Sequence, residues 1–286
     1  MAMSEKQRIS IMMKHYFKPK IKFLMLPYLQ NRELALLSKI YPKSNTRNIR
    51  CHNVQMLDKI FKRLNLFKKG YSLYYSVARF NKGVPFYTLI LTYRDTHKWN
   101  KTANENIESY DYVIDIDSPD DSSFIYARDS AYELAKFFLY SGLPFRVRYS
   151  GRGFHFVIDS EHVPPLSFDP SSDFNIYRAL SNVSKYLYSE ICEFIDTGIY
   201  DSRRVIKVPY SLAVYEDDIR VCVPISDIDF LRVCTLADFS PDLFDINFGQ
   251  FQDKQFNESC DGKLFFKEIN KKINLKYGVV SWRERD

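Results

Sequence analysis

The sequence predicts an α+β fold, a mixed or antiparallel sheet with helices on one face, packed against a second, N-terminal α/β unit. Three observations carry that expectation. Of 286 residues, 45% are hydrophobic, with 23 Phe and 21 Tyr, enough to bury a substantial core in one large domain or two modest ones. Short β-branched and aromatic runs alternate with stretches whose apolar residues recur every three to four positions. From residue 110 onward they follow the order strand, helix, strand, strand, helix, strand, which is the ferredoxin-like arrangement.

The first 110 residues read as short helices followed by a hairpin. Asn53 is placed to cap a helix whose Val54, Leu57, Ile60, Phe61 and Leu64 share one stripe, ended by Lys69-Gly70. The β-rich runs 73–80 and 85–93 flank Asn81-Lys82-Gly83-Val84 and suggest the hairpin; the polar segment 94–109 reads as a loop. Residues 110–117 form the next strand. Ala127, Ala131, Leu134, Ala135 and Phe138 then give a helical stripe, closed by Ser141-Gly142 ahead of Pro144. Strands over 145–150 and 154–159 enclose the tight turn Gly151-Arg152-Gly153. A second helix carries Ile176, Ala179, Leu180, Val183, Leu187 and Ile191, with Asp173 as its cap, and 204–211 and 220–226 read as later strands. The chain divides into a basic, mainly helical region over 1–70, a core over 71–240, and an extension over 241–286 that packs on or flanks the core and carries no motif.

Net charge is +6, but it is unevenly spread. Residues 1–110 hold 21 Lys/Arg against 6 Asp/Glu, a net of +15, while residues 111–286 hold 20 against 29, a net of −9. That asymmetry suggests a polyanion-binding surface beside a metal-binding one; a solvated Lys-rich surface is the alternative. Aromatics among the basic residues (Tyr71, Tyr74, Tyr75, Phe80, Tyr93, Trp99) favour single-stranded nucleic acid, whose bases stack on rings. No run of eighteen apolar residues exists and the first residues lack the apolar stretch of a signal peptide, so the expectation is an intracellular, cytoplasmic protein without a membrane partner. Five scattered cysteines, never spaced as C-x-x-C, read as reduced thiols and not as disulfides or zinc ligands.

Three constellations carry chemistry. Asp115 and Asp117 sit two apart in an apolar strand, so their carboxylates share a face while Ile114 and Ile116 take the other. Parallel carboxylates there are costly unless a hard divalent cation neutralises them. An isolated D-x-D is a common string, and a second one, Asp227 and Asp229, reads as a solvated turn. About 33 residues beyond Asp117 comes Ser150-Gly151-Arg152-Gly153-Phe154-His155. Its glycines let backbone N–H groups approach an anion, and Arg152, Ser150 and His155 add donors; a plain hairpin turn with a surface histidine is the bland alternative. About 41 residues beyond His155 lies Asp196-Thr-Gly-Ile-Tyr200, followed by Arg203, Arg204 and Lys207. Two ions ~3.5–4 Å apart require a bridging carboxylate and further oxygens, a role open to Asp196 or to its rival Asp201, unless these residues merely form a salt bridge.

In their order and spacing these motifs resemble the archaeo-eukaryotic primase superfamily over roughly residues 71–226. The hhhDhD/E motif is matched by Val113-Ile114-Asp115-Ile116-Asp117, the small-residue-and-His motif by Ser150 and His155 around Arg152, and the third acid by Asp196. Residues 205–212 are similar to the RLPxSL strand of primase small subunits. The resemblance implies a catalytic core that forms phosphodiester bonds from NTPs or dNTPs on a single-stranded DNA template. Asp115, Asp117 and Asp196 would hold two Mg²⁺ or Mn²⁺ ions. Ser150, Gly151, Arg152, Gly153, His155, Arg204 and Lys207 would hold the triphosphate, with Arg79 in the same cradle or on the template. The basic first third would track template phosphates, with steep salt dependence. No Cys/His knuckle is present, so no structural zinc is expected. No Walker loop, helicase module or ligase lysine motif is present either, which suits a stand-alone unit or one working with a helicase or large-subunit partner. The alternatives are a repair polymerase without priming, a non-catalytic nucleic-acid-binding module on an RNA-recognition-like sheet, and a metal-dependent nuclease or D-x-D glycosyltransferase.

Overall fold

A computed structural model describes residues 3–63, 66–81, 96–165, 167–168, 171–172, 175–198 and 200–277. Helices α1 (Glu5–Tyr16) and α2 (Pro19–Leu29) lead into β1 (Glu33–Ser38) and β2 (Thr46–Arg50). A capping box between Ser4 and Gln7 starts α1. Helix α3 (Val54–Arg63) follows, its Asn53 carboxamide accepting from the Met56 N–H at 2.9 Å, with Leu57, Ile60 and Phe61 buried. Leu64 lies outside the described residues. Strands β3 (Tyr71–Ser76) and β4 (Ala78–Phe80) come next. The second arm of the expected hairpin, 85–93, lies outside the described residues.

The polar segment read as a loop is instead helix α4 (Thr96–Asn106) running into β5 (Ile107–Tyr110), which pairs with β4. Among the described side chains here, Ala103 is fully buried and Ile107 nearly so. A run so polar in sequence offers no apolar stripe to read.

Strand β6 (Tyr112–Ile116), helix α5 (Phe124–Ser141), β7 (Arg146–Tyr149), β8 (Phe154–Ile158) and helix α6 (Ile176–Glu190) follow the predicted order. Gly142 closes α5 in the left-handed conformation, φ 70°. Asn175, accepting from the Arg178 N–H at 3.1 Å, caps α6; the expected cap, Asp173, is outside the described residues. Strands β9 (Val205–Lys207), β10 (Leu212–Val214), β11 (Ile219–Val221) and β12 (Pro224–Ile225) precede helices α7 (Pro241–Asn247) and α8 (Gly262–Tyr277).

Two antiparallel four-stranded sheets result, ordered β2-β1-β3-β9 and β12-β7-β8-β6. Region 1–70 is therefore not simply helical, because it gives β1 and β2 to the first sheet. Strand β9 departs from the ferredoxin-like expectation. It pairs with β3, Tyr74 opposite Lys207 and Tyr75 opposite Ile206, and so leaves the second sheet. The place beside β6 goes to residues 194–196. The Asp117 N–H donates to the Phe194 carbonyl at 3.4 Å, the Asp196 N–H to the Asp115 carbonyl at 2.9 Å, and Ile116 bridges Ile195.

Alternation along the second sheet separates its faces. Tyr112, Phe154 and Phe156 meet helices: Phe124 of α5 lies 5.9 Å from Phe154, Phe138 of α5 5.8 Å from Phe156, and Phe266 of α8 5.7 Å from Tyr112. The other face carries a polar row, Asp115 opposite His155 and His155 opposite Arg148. Arg148 is buried, donates to the Tyr75 hydroxyl at 2.5 Å and to Asp253 at 3.3 Å, and lies 4.8 Å over the Tyr28 ring.

A buried ion pair joins the two sheets. Arg32, beside β1, donates to the carbonyls of Ser76 and Val77 and to the Asp111 carboxylate at the foot of β6; Asp111 also accepts from the Ser160 N–H at 3.2 Å. Both side chains are only 3% exposed. Removing one partner strands a buried charge. Asp111→Ala should lower the unfolding free energy by about 3–5 kcal/mol, read by urea denaturation; a loss below about 1 kcal/mol would show that the pair does not hold the sheets together.

Candidate functional site

Asp115 comes from the end of β6 and Asp117 from just past it, and both open into a cavity of about 500 Å³ lined by residues of both four-stranded sheets. Asp115 is largely buried, its side chain 14% exposed, while Asp117 stands at the open mouth. Burial raises the Asp115 carboxyl above its ordinary value and Asp196 adds to the rise, against the pull of Arg204 and Lys207. Asp117 is raised by partial burial and then by Asp115 itself, against Lys207, Lys39 and Arg152.

The glycine turn is pressed between these acids and the β10–β11 hairpin. A Cβ at Gly153 would lie 1.8 Å from the Ile116 carbonyl oxygen, so only glycine lets the start of β8 lie against the end of β6. Gly151, φ +110°, has Ala213 and the Tyr215 hydroxyl where a Cβ would project, at 2.5 and 2.8 Å. Its carbonyl is fixed by the Tyr149 hydroxyl at 2.5 Å and by Arg220 at 2.9 Å. Ser150 is buried and lines the cavity.

His155 lines it too, with Nε2 3.5 Å from Asp115 Oδ1. It is 5% exposed, and so is not the surface histidine of the plain-turn alternative. Burial, then Lys207, Arg204 and Arg148, push its pKa well below the usual histidine value, so the ring is neutral at pH 7. Arg204 donates to Asp115 Oδ2 at 2.6 Å, and Lys207 faces the cavity from β9. Burial opposes the charge on Lys207, yet its neighbours, Tyr74, Tyr215, Cys222 and Asp115, outweigh that and raise its pKa. Arg152 reaches over the Tyr215 ring, 4.7 Å from its centroid.

The structure thus gathers Asp115, Asp117, Ser150, His155, Arg204 and Lys207 around one cavity, with Arg152 beside Asp117. Asp196 stands next to Asp115 through its backbone, but its exposed carboxylate accepts from the Gly198 N–H at 2.9 Å and does not line the cavity. Its rival Asp201 does line it, while accepting from the Arg203 N–H at 2.6 Å. Among the described residues no group of three or more His, Cys, Asp or Glu converges to hold a metal. Arg79 is not in the cradle: it sits on β4 outside the cavity lining, its Nε 3.9 Å from Asp111, which leaves of its two expected places only the template.

Several lining residues escaped the sequence reading. Lys39, just past β1, and Arg47 of β2 stand in no motif and had only the surplus of Lys and Arg in residues 1–110 as a signal; Tyr74 of β3 was marked only as one of the aromatics among those charges. Arg47 is held by Glu33 through two 2.8 Å bonds and by the Arg203 carbonyl at 2.7 Å. The other D-x-D is an exposed turn, in which Asp227 accepts from the Asp229 N–H at 3.0 Å. Among the described residues no helix is long and apolar enough to cross a membrane.

No family model and no curated protein matches the chain. Among solved structures it is similar to the polymerase domain of Ligase D from Mycobacterium tuberculosis in complex with DNA. Identity is 11%, the TM-score is 0.47, and the match covers 85% of this chain and 89% of that one. A likeness of that degree leaves function to the site itself.

The raised pKa of Asp117 has a consequence for stability. Since its folded value lies above the ordinary 3.8, ionisation costs the fold stability as pH rises through that folded value. Asp117→Asn should therefore melt higher than the parent at pH 7, the gain fading as pH falls towards 3.8. A lower melting temperature at pH 7 would contradict the strained-acid assignment.

Proposed function

We propose that the protein is a nucleotidyltransferase that adds NTPs or dNTPs to a strand paired with a single-stranded DNA template. What carries the reading is one cavity whose lining holds two strained carboxylates together with Arg204 and Lys207, with the charge of Arg152 also acting on Asp117. An acid pair alone suits many metal enzymes, and a basic turn alone suits many anion binders. Facing each other, they suit a metal-bound polyphosphate.

The residues fit Mg²⁺ or Mn²⁺. Hard carboxylate oxygens, two residues apart and raised in pKa by burial and by neighbouring acids (Asp196 on Asp115, Asp115 on Asp117), are relieved by a divalent cation. Asp115 and Asp117 would hold it, with Asp196 as the third acid since it is the like charge that Asp115 feels most. When bound, the ions would activate the 3′-hydroxyl and neutralise charge on the departing pyrophosphate. Arg204 would exchange Asp115 for a phosphate oxygen. Lys207 and Arg152 would bind the phosphates as fixed positive charges. The neutral His155 would donate one hydrogen bond to a phosphate oxygen without adding a charge.

Incubation with unprimed and primed single-stranded templates, labelled NTPs or dNTPs and Mn²⁺ tests the proposal on a sequencing gel. Polymer growth is expected; shortened template would indicate a nuclease, and template binding without either a non-catalytic module. Asp115→Ala should lower kcat by roughly a thousandfold or more while leaving template affinity within about threefold. Arg152→Ala should chiefly raise KM for the nucleotide. Retained incorporation in the first variant, or an unchanged KM in the second, would contradict these roles.

A further inference from the structure

The acids have a flank outside the cavity that no motif marked. Helix α5 begins just after the loop that leaves Asp117, so its first turn lies at the same end of the second sheet as the acids. That turn carries Ile125 and Tyr126, which are 47% and 61% exposed. Beside it runs the segment 194–196, tied through its backbone to Asp115 and Asp117. The half-buried Phe194 ring meets that of Tyr126 with planes only 3° from parallel and centroids 6.5 Å apart. Two residues on, the Asp196 carboxylate is exposed.

Single exposed rings are common on protein surfaces and need no explanation. This one is braced by a parallel ring, and the backbone carbonyl of that partner, Phe194, accepts from the Asp117 N–H. Its charge setting also differs from that of the cavity. Lys39, Arg47, Arg204 and Lys207 reach the cavity from the first sheet or its flanks. In the first turns of α5, Arg128 is already engaged, by Asp129 at 2.8 Å and by the Cys234 carbonyl at 3.3 Å, while Glu193 and Asp196 are exposed on either side of Phe194. Such a flank repels phosphates and offers a flat ring, which suits a nucleobase held by its face. In nucleotidyl transfer the strand that must approach the acids most closely is the one whose 3′-hydroxyl attacks.

We propose that Tyr126, backed by Phe194, stacks on the 3′-terminal base of the strand being extended and so holds its 3′-hydroxyl beside the acids. The proposal rests on the nucleotidyl-transfer reading and adds its acceptor contact. Every base has a π-face, so the contact positions the strand without reading its sequence. Phosphate contacts fall to the cations of the first sheet, and the base contact to the rings on the second.

A primer–template with 2-aminopurine as the 3′-terminal base of the primer tests this on the full chain, in the absence of nucleotide. Stacking should quench the fluorophore on binding. Tyr126→Ala should relieve most of the quench and weaken binding about tenfold, while Tyr126→Phe, which keeps the ring, stays within about twofold of the parent. The loss in Tyr126→Ala should be the same at about 50 and about 200 mM salt, since no phosphate contact is removed. A primer ending in an abasic nucleotide should bind the parent and Tyr126→Ala equally well. In extension assays Tyr126→Ala should raise KM for the primer about tenfold and leave that for the nucleotide within about twofold. An unquenched parent, or an abasic primer that loses as much as the intact one, would overturn the stacking assignment. Incorporation by the parent, measured separately, shows whether the polymerase reading itself stands. An active parent whose primer binding is indifferent to Tyr126→Ala sinks only the stacking contact. An inactive parent whose quench depends on Tyr126 sinks only the polymerase reading.

Discussion

The rest of the structure depends on holding Asp115, a carboxylate that burial makes costly, against Arg204 and Lys207 at the seam of two sheets. β6 and the cations come from separate sheets, so their meeting requires those sheets to be locked in register. The buried Arg32–Asp111 pair and the Arg148–Tyr75–Asp253 cluster do this on the flank of the cavity. Such polar ties cost desolvation, and well-packed apolar residues would give as much stability. What they add is a fixed geometry where an apolar seam would slide.

Glycine sets the second constraint. The close approach of Gly153 to the Ile116 carbonyl and the left-handed-side conformation of Gly151 press the turn against the acids on one side and Tyr215 on the other. Any side chain at 153 would push Arg152 and His155 away from Asp115 and Asp117. Backbone conformation, and not only side-chain chemistry, thus keeps the acids and the basic residues within reach of one another.

Much of this was legible in the sequence. Period-two alternation in 112–116 and 154–158 placed the two acids on one face, and Gly142 marked the end of α5. What stayed hidden lacked a local signal. α4 is polar nearly throughout, with Ala103 as its fully buried anchor. β9 reads as a strand but nothing in its three residues says which sheet it joins. Lys39 and Arg47 stand in no motif, and only the pairing of β1 with β3 and of β3 with β9 brings the first sheet to the cavity. Asp196 and Asp201 are equally plausible from spacing. Tertiary structure gives each a different tie to the cavity: the Asp196 backbone bonds to Asp115, while the Asp201 side chain lies in the lining.

Counting bound Mn²⁺ by electron paramagnetic resonance, with a non-hydrolysable dNTP present, tests the central claim most directly. The parent should bind two ions per chain in a nucleotide-dependent manner, and an Asp115→Asn, Asp117→Asn double variant that still melts cooperatively should bind none at that site. An unchanged count in the double variant would show that these carboxylates do not share a metal–nucleotide site, and the account built on them would fail.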